Sequence, residues 1–417
     1  MSQTLTKTSV LERFLRYVTY DTQSTEGSAT YPSTLKQLVL LDKLVEELQA
    51  LGLKDAARDT NGLVFATIPS TSKQSNVPVI GFLAHVDTSP EADGTNVKPV
   101  VHANWNGSDI TYADDAALVL RPSEVAALRE RKGHDIVTAS GKTLLGADDK
   151  AGVAEVMAAA EYLVQHPEIA HGPIRVGFTP DEEVGAGAAR FDVKAFGAAY
   201  AFTIDGEERG MLDTETFSAD AMTVTFQGFN THPGFARGKM VNSIRVAGDF
   251  IDRLPNDKLS PETTELREGF LHPYMMDASV DRTSVKFIIR DFRTAGLAEK
   301  EQLIEKLARE TVAAWPGASV AFKVEESYRN LKDVLEQHPQ IVANAKEGFK
   351  RSGLEMTEGS IRGGTDGSRL SYMGLPTPNI FAGGHNFHSR LEWVSVQDME
   401  KATEVIVNIA RVVEERA

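Results

Sequence analysis

Cysteine is absent from all 417 residues. Disulfides, thiolate metal sites and a cysteine nucleophile are thereby excluded, and any metal must be held by His, Asp or Glu. Long apolar runs are missing too. No window reaches about 18 uninterrupted apolar residues, so no membrane span is expected. The stretch from Met1 to Val10 is polar and lacks the apolar segment of a signal peptide, which makes cytoplasmic residence the expectation. Positive charge is scarce, with 44 Lys and Arg against 59 Asp and Glu and a net charge of -15. That balance argues against nucleic acid or an anionic membrane as partner, because phosphate binding needs a basic surface. An apolar content of 41% is ordinary for a globular chain, and the length suggests two domains. Repeats and low-complexity segments are also lacking.

What is present is a series of apolar strands that each run into acids or histidine. Helical spacing marks Val10 to Tyr20 and Thr34 to Leu53. Strands are expected at Leu63 to Ile68, Val77 to Val86, Ile174 to Phe178 and Ala199 to Ile204. The second ends in His85-Val86-Asp87, whose alternate residues face one side. The third ends in Thr179-Pro-Asp-Glu-Glu-Val-Gly185, and the fourth in Asp205-Gly206. Between them, Asp148-Asp149-Lys150 opens an alanine-rich helix, where the macrodipole favours negative charge. The stretch from Asn96 to Lys132 reads as loops and one short helix. Strands alternating with helices, with chemistry at the strand ends, describe an α/β domain built on a mostly parallel sheet.

After about Phe217 the pattern changes to a self-contained run of strands and helices. The expectation is a discontinuous catalytic domain, residues 1–216 and 328–417, with an inserted smaller α+β domain over 217–327. In that insert, strands are expected at Ala221 to Gln227, Asp281 to Phe292 and Ser319 to Glu326, with helices at Met240 to Leu254 and Ala298 to Ala314. Helices resume at Val334 to Arg351 and Val396 to Glu415, separated by a glycine-rich segment and by Gly383-Gly-His-Asn-Phe-His388.

Each acid or histidine alone reads as a cap or a solvated turn. Together, His85, Asp148, Glu183, Asp205 and His388 supply two imidazoles and three carboxylates. That donor set suits Zn²⁺, with Co²⁺ or Mn²⁺ compatible. Five ligands exceed one open tetrahedral centre but fit two metals bridged by a shared carboxylate. Water on zinc in a protein site has a pKa of about 7, against about 9 on aqueous zinc. A neighbouring carboxylate that is not a ligand can then take the proton. One of Glu182 and Glu183 should bind metal and the other transfer protons; chemistry alone does not assign them.

The motifs G-F-L-A-H-V-D-T-S-P, T-L-L-G-A-D-D-K-A-G, F-T-P-D-E-E-V-G, T-I-D-G, T-H-P-G, I-R-G-G-T-D-G and N-F-H occur in order along the chain. In this the chain resembles the dinuclear zinc metallopeptidases of family M20, and within it the tripeptide aminopeptidases. The resemblance implies that His85 and Asp205 serve one zinc, Glu183 and His388 the other, and Asp148 bridges them. It implies Glu182 as general base and Asp87 as the acid that orients the ligand histidine. The insert resembles the family's lid domain. His232 of T-H-P-G matches a lid histidine that reaches substrate, and Arg290 and Arg362 are candidates for the peptide's C-terminal carboxylate. His385 stands where an aromatic is expected, leaving a second histidine near the site.

The expected activity is release of the N-terminal residue from tripeptides by attack of a metal-bound water, with a small peptide as partner and homodimer formation left open. An N-acyl amino acid deacylase or carboxypeptidase on the same scaffold shares every ligand and is the main alternative. A non-catalytic metal- or peptide-binding protein is disfavoured, since a pure binding site needs no unligated base beside the metal.

Overall fold

A computed structural model describes residues 7–417, so the first residues of the polar N-terminal stretch lie outside the described residues. The chain divides into two compact units, one of residues 1–214, 331–359 and 365–417, the other of 215–330 and 360–364.

The first unit is organised on an eight-stranded sheet. Its order is Ala57–Arg58, Val64–Ile68, Ile174–Thr179, Ile80–His85, Tyr200–Gly206, Asn379–Phe381, Met211–Thr216 and Thr357–Ile361. Neighbours from Ile174–Thr179 to Asn379–Phe381 run parallel, whereas Val64–Ile68 and Met211–Thr216 join them antiparallel. Four strands therefore end at the same edge. In register, His85 lies beside Thr179 and Leu83 beside Thr203, which brings the residues just beyond Thr179 and Ile204 level with His85.

Both faces of this sheet are covered, and the strands show it residue by residue. Phe82, Ala84, Phe202 and Ile204 join the large core that includes Phe14, Val156, Ile341 and Ile406 from flanking helices. Leu83 and Ala201 point the other way, into a cluster with Phe191 and Phe196. Gly81 leaves room for Phe196 there; a Cβ at that position would lie 2.5 Å from its ring. Burying each such aromatic contributes about 1.5–3 kcal/mol.

The helix Ala147–Gln165 packs against the strands Ile80–His85 and Tyr200–Gly206. Gly152 permits the approach: a Cβ on it would fall inside the radius of the Ile204 carbonyl oxygen. Among the described residues no helix is long and apolar enough to cross a membrane.

The second unit holds a four-stranded antiparallel sheet, ordered Phe270–Ala278, Arg282–Asp291, Ser218–Gln227, Ser319–Tyr328. Met222, Val224 and Phe226 alternate inward and pack with Val246, Phe250 and Ile304 of the helices Ser243–Asp252 and Thr294–Ala313.

Several elements depart from the sequence reading, among them the strands Met211–Thr216 and Thr357–Ile361 of the central sheet, which it does not mark. Phe270–Ala278 was not anticipated as a strand; Pro273 interrupts its pattern, and it lies at the sheet's edge with a register shift after Pro273, where proline is tolerated. The helix expected over 334–351 is two, Lys332–Leu335 and Pro339–Arg351, because proline starts a helix but cannot continue one. The stretch from Asn96 to Lys132 is not simply loops and a helix. It contributes the pair Ile110–Tyr112 and Asp115–Leu120, and Val100–His102 joins a small sheet with Ile136–Thr138, Trp393–Ser395 and Gly384–His385. Most of these strands have three residues or fewer, too short to display alternation.

Candidate metal centre and its supports

The acids after Thr179 are separated by their partners. Asp181 adopts a left-handed backbone, φ 61°. Its carboxylate accepts from Ser33 N and Oγ, each at 2.5 Å, and from Gln37 Nε2 at 2.6 Å. Asp181 is thus an anchor for the turn. The buried Asp87 holds the next two residues by their backbones, accepting from Glu182 N at 3.0 Å and Glu183 N at 3.2 Å. Both glutamate side chains are left to face the strand ends.

His85 presents Nε2 to Asp148 Oδ1 at 2.9 Å and to Asp205 Oδ1 at 3.6 Å. Its Nδ1 lies 3.1 Å from the Asp87 carbonyl and 3.3 Å from Asp87 Oδ1, a pairing that fixes the tautomer. His388 presents Nε2 to Glu183 Oε2 at 2.8 Å and to Asp148 Oδ2 at 3.3 Å, while its Nδ1 meets Glu91 Oε2 at 3.2 Å. Two groups of potential ligands result, His85 with Asp148 and Asp205, and Asp148 with Glu183 and His388, the ligand atoms of each lying within 4.8 Å of one another. Asp148 belongs to both. Asp149 does not; it accepts from His85 N at 3.1 Å and Gly152 N at 3.2 Å, tying the helix to the strand.

Electrostatics test whether cations fit. Burial, and then the Asp148 charge, push Asp205 up to about 7 and Glu183 up to about 8. Hydrogen bonds to Asp148 and Glu183 raise His388 to about 11. Asp148 is held low despite its burial, by hydrogen bonds from His388 and His85. A cluster of this kind needs positive charge, from protons or from metal. Glu183 Oε1 is buried and has no hydrogen-bond partner among the described residues, as expected of an oxygen reserved for a ligand. The residues fit a pair of divalent cations held by oxygen and imidazole.

Glu182 belongs to neither group. Burial raises its carboxyl well above the ordinary range, opposed by His85 and reinforced by the charges of Asp366, Asp205 and Glu183. It is a carboxylate that feels the charges of His85, Asp205 and Glu183, three of the candidate ligands.

His385 is in neither group; it stacks on Trp393 with centroids 4.5 Å apart, and burial lowers it to about 4. The remaining sequence-derived residues lie in the second unit. His232 is exposed and accepts from Gly234 N through Nδ1. Arg290 lies over the Tyr328 ring at 5.0 Å. Arg362 donates from both terminal nitrogens to Leu266 O, Glu268 O, Thr264 O and Thr264 Oγ1 at 2.8–3.3 Å. Its four terminal hydrogens are committed to that loop.

Sequence reasoning missed several supports. Asn379 accepts from Asp205 N at 3.1 Å and donates to Asp213. Glu91 meets His388, and nothing in its local sequence marks it. Glu392 is fully buried, and the signal for it was an acid set among Leu391, Trp393 and Val394.

Residues 142–412 match the model of peptidase family M20/M25/M40. The chain is 47% identical over 411 residues to peptidase T of Bacillus pumilus (strain SAFR-032), covering 99% of this chain and 100% of that one. Among solved structures, it superposes on aminopeptidase PepT from Bacillus cereus with TM-score 0.75 at 20% identity, covering 98% and 99% of the two chains. A tripeptidase from Staphylococcus aureus gives TM-score 0.76 at 20% identity, covering 99% and 100%.

Proposed function

Since the chain belongs to peptidase family M20/M25/M40, we propose that it works as a metal-dependent tripeptide aminopeptidase, cleaving the first peptide bond of unblocked tripeptides. The observation that carries the substrate class is the near-full-length identity to a peptidase T. The chemistry rests on two ligand groups sharing Asp148, with Glu182 outside both.

His85, Asp148 and Asp205 would hold one divalent cation, and Asp148, Glu183 and His388 the second, zinc being the preferred ion and Co²⁺ or Mn²⁺ substitutes. When bound, the cations supply Lewis acidity to a water and to the scissile carbonyl. Glu182 accepts the proton from the attacking water and returns it to the departing amine. A carboxylate that ligates neither cation is free to serve in both directions, as base to the water and as acid to the amine. Asp87 orients His85 and holds the Glu182–Glu183 backbone, which keeps base and ligand on fixed headings.

The second unit serves as the lid. His232 is assigned to the oxyanion and Arg290 to the substrate's terminal carboxylate; Arg362, its terminal donors committed to residues 264–268, organises the lid rather than the substrate. Residence in the cytoplasm completes the reading.

A panel of di-, tri- and N-acylated peptides tests it. Free tripeptides should release their N-terminal residue, chelation should abolish this, and zinc should restore it. Turnover of N-acylated substrates without turnover of free tripeptides would replace the aminopeptidase by a deacylase.

A further inference from the structure

We propose that Glu392 is a positioning residue that sets the spacing between His388 and Asp148, and so the geometry of the second metal position. The inference rests on the two-metal reading. Its carboxylate is wholly buried and spans the loop that delivers Asp148: Oε2 accepts from Leu145 N and Gly146 N, each at 2.7 Å, and Oε1 from Asp148 N at 3.0 Å. No ion pair to it forms within 4.0 Å among the described residues; three backbone donors hold the carboxylate, and the buried Lys150 feels its charge.

The same residue terminates the loop that delivers His388. That loop is closed on itself: Ser389 Oγ donates to Asn386 O at 2.7 Å, Leu391 N to Ser389 Oγ at 3.2 Å, Glu392 N to Ser389 O at 3.3 Å, and Asn386 Nδ2 to Leu391 O at 3.2 Å. Asn386 and His388 both have φ 57°, a left-handed conformation that this bonding sustains. Beyond Glu392 the chain enters the strand Trp393–Ser395, paired with Ile136–Thr138. One carboxylate therefore clamps two loops that approach from different parts of the sequence. The ligand atoms they carry, His388 Nε2 and Asp148 Oδ2, sit 3.3 Å apart. Glu392 touches neither reacting atoms nor ligand atoms; it acts through backbone.

Two substitutions separate position from charge. Glu392→Gln keeps the shape but turns an NH₂ toward a backbone donor. Glu392→Asp keeps the charge but is one methylene too short to reach all three donors. Chelator-stripped parent and variants are titrated with Zn²⁺ alone by calorimetry, and their metal-free melting is recorded. Parent protein should take two equivalents. In both variants at least one equivalent should weaken by about 10–100-fold, the range for groups that orient ligands, with kcat falling more than KM rises. Parental affinities in Glu392→Gln would overturn the proposal. So would full affinity in Glu392→Asp beside loss in Glu392→Gln, which would assign the effect to charge. A drop in metal-free melting with unchanged affinity in the folded protein would make Glu392 merely structural. A parent that binds no zinc would instead defeat the two-metal reading itself.

Discussion

Gly152→Ala adds one methyl group and is expected to disable the enzyme while leaving every ligand in the sequence. A Cβ at this position would lie 2.9 Å from Asp149 Oδ2 and closer still to the Ile204 carbonyl oxygen and Asp149 Oδ1, under the 3.0 Å that real Cβ atoms keep. The obstacles are a backbone carbonyl in the central sheet and a buried carboxylate whose two oxygens are already bonded to His85 N and Gly152 N. Neither can swing aside as an exposed side chain could. The helix must retreat from the strand, by on the order of 1 Å, and it carries Asp148 with it while Ile204 leads directly into Asp205. Misplacement of that size costs about 10²-fold in rate, or about 2.7 kcal/mol of barrier. Overpacking adds about 1–3 kcal/mol of lost stability. Paired assays of kcat/KM on a free tripeptide and of thermal melting check both parts. A variant with parental activity and parental melting would show that this contact does not set the distance between Asp148 and Asp205.

Asp87→Asn removes one of the oxygens that receive Glu182 N and Glu183 N, and should lower metal affinity or kcat by about 10–100-fold; zinc titration with kinetics decides. Arg290→Ala should raise KM for tripeptides with kcat little changed, whereas Arg362→Ala should lower the melting temperature and leave KM nearly alone, because its donors serve residues 264–268. Glu155 is fully buried without a hydrogen-bond partner among the described residues, and burial raises its pKa well above the ordinary value. A raised folded-state pKa gives stability that is complete below the unfolded-state value and is lost as pH rises. Glu155→Gln should therefore gain stability relative to the parent progressively as pH rises above the ordinary glutamate range, read from urea midpoints; a constant difference would contradict the assignment.

The parallel core was legible because buried strands in such a sheet are continuous apolar runs, and Val77 to Val86 and Ala199 to Ile204 are of that kind. The candidate site was legible because three of the runs lead into His or acids within a few residues. What escaped notice had no such contrast. The strands Val100–His102 and Ile136–Thr138 are too short for a pattern, and Phe270–Ala278 is broken by Pro273. Glu392 and Asn379 act across the fold on backbone N–H groups far away in sequence, so local composition carries almost no trace of their partners. The glutamate pair marks the boundary well. Sequence chemistry asked for one ligand and one base, and the packing places Glu183 against His388 while Glu182 stays outside both ligand groups.

That division of labour is the centre of the account, and Glu182→Ala measures it. The purified variant should bind two equivalents of zinc, as the parent does, and lose nearly all turnover of a free tripeptide. Parental turnover would remove Glu182 as the base, and loss of a bound equivalent would make it a ligand instead.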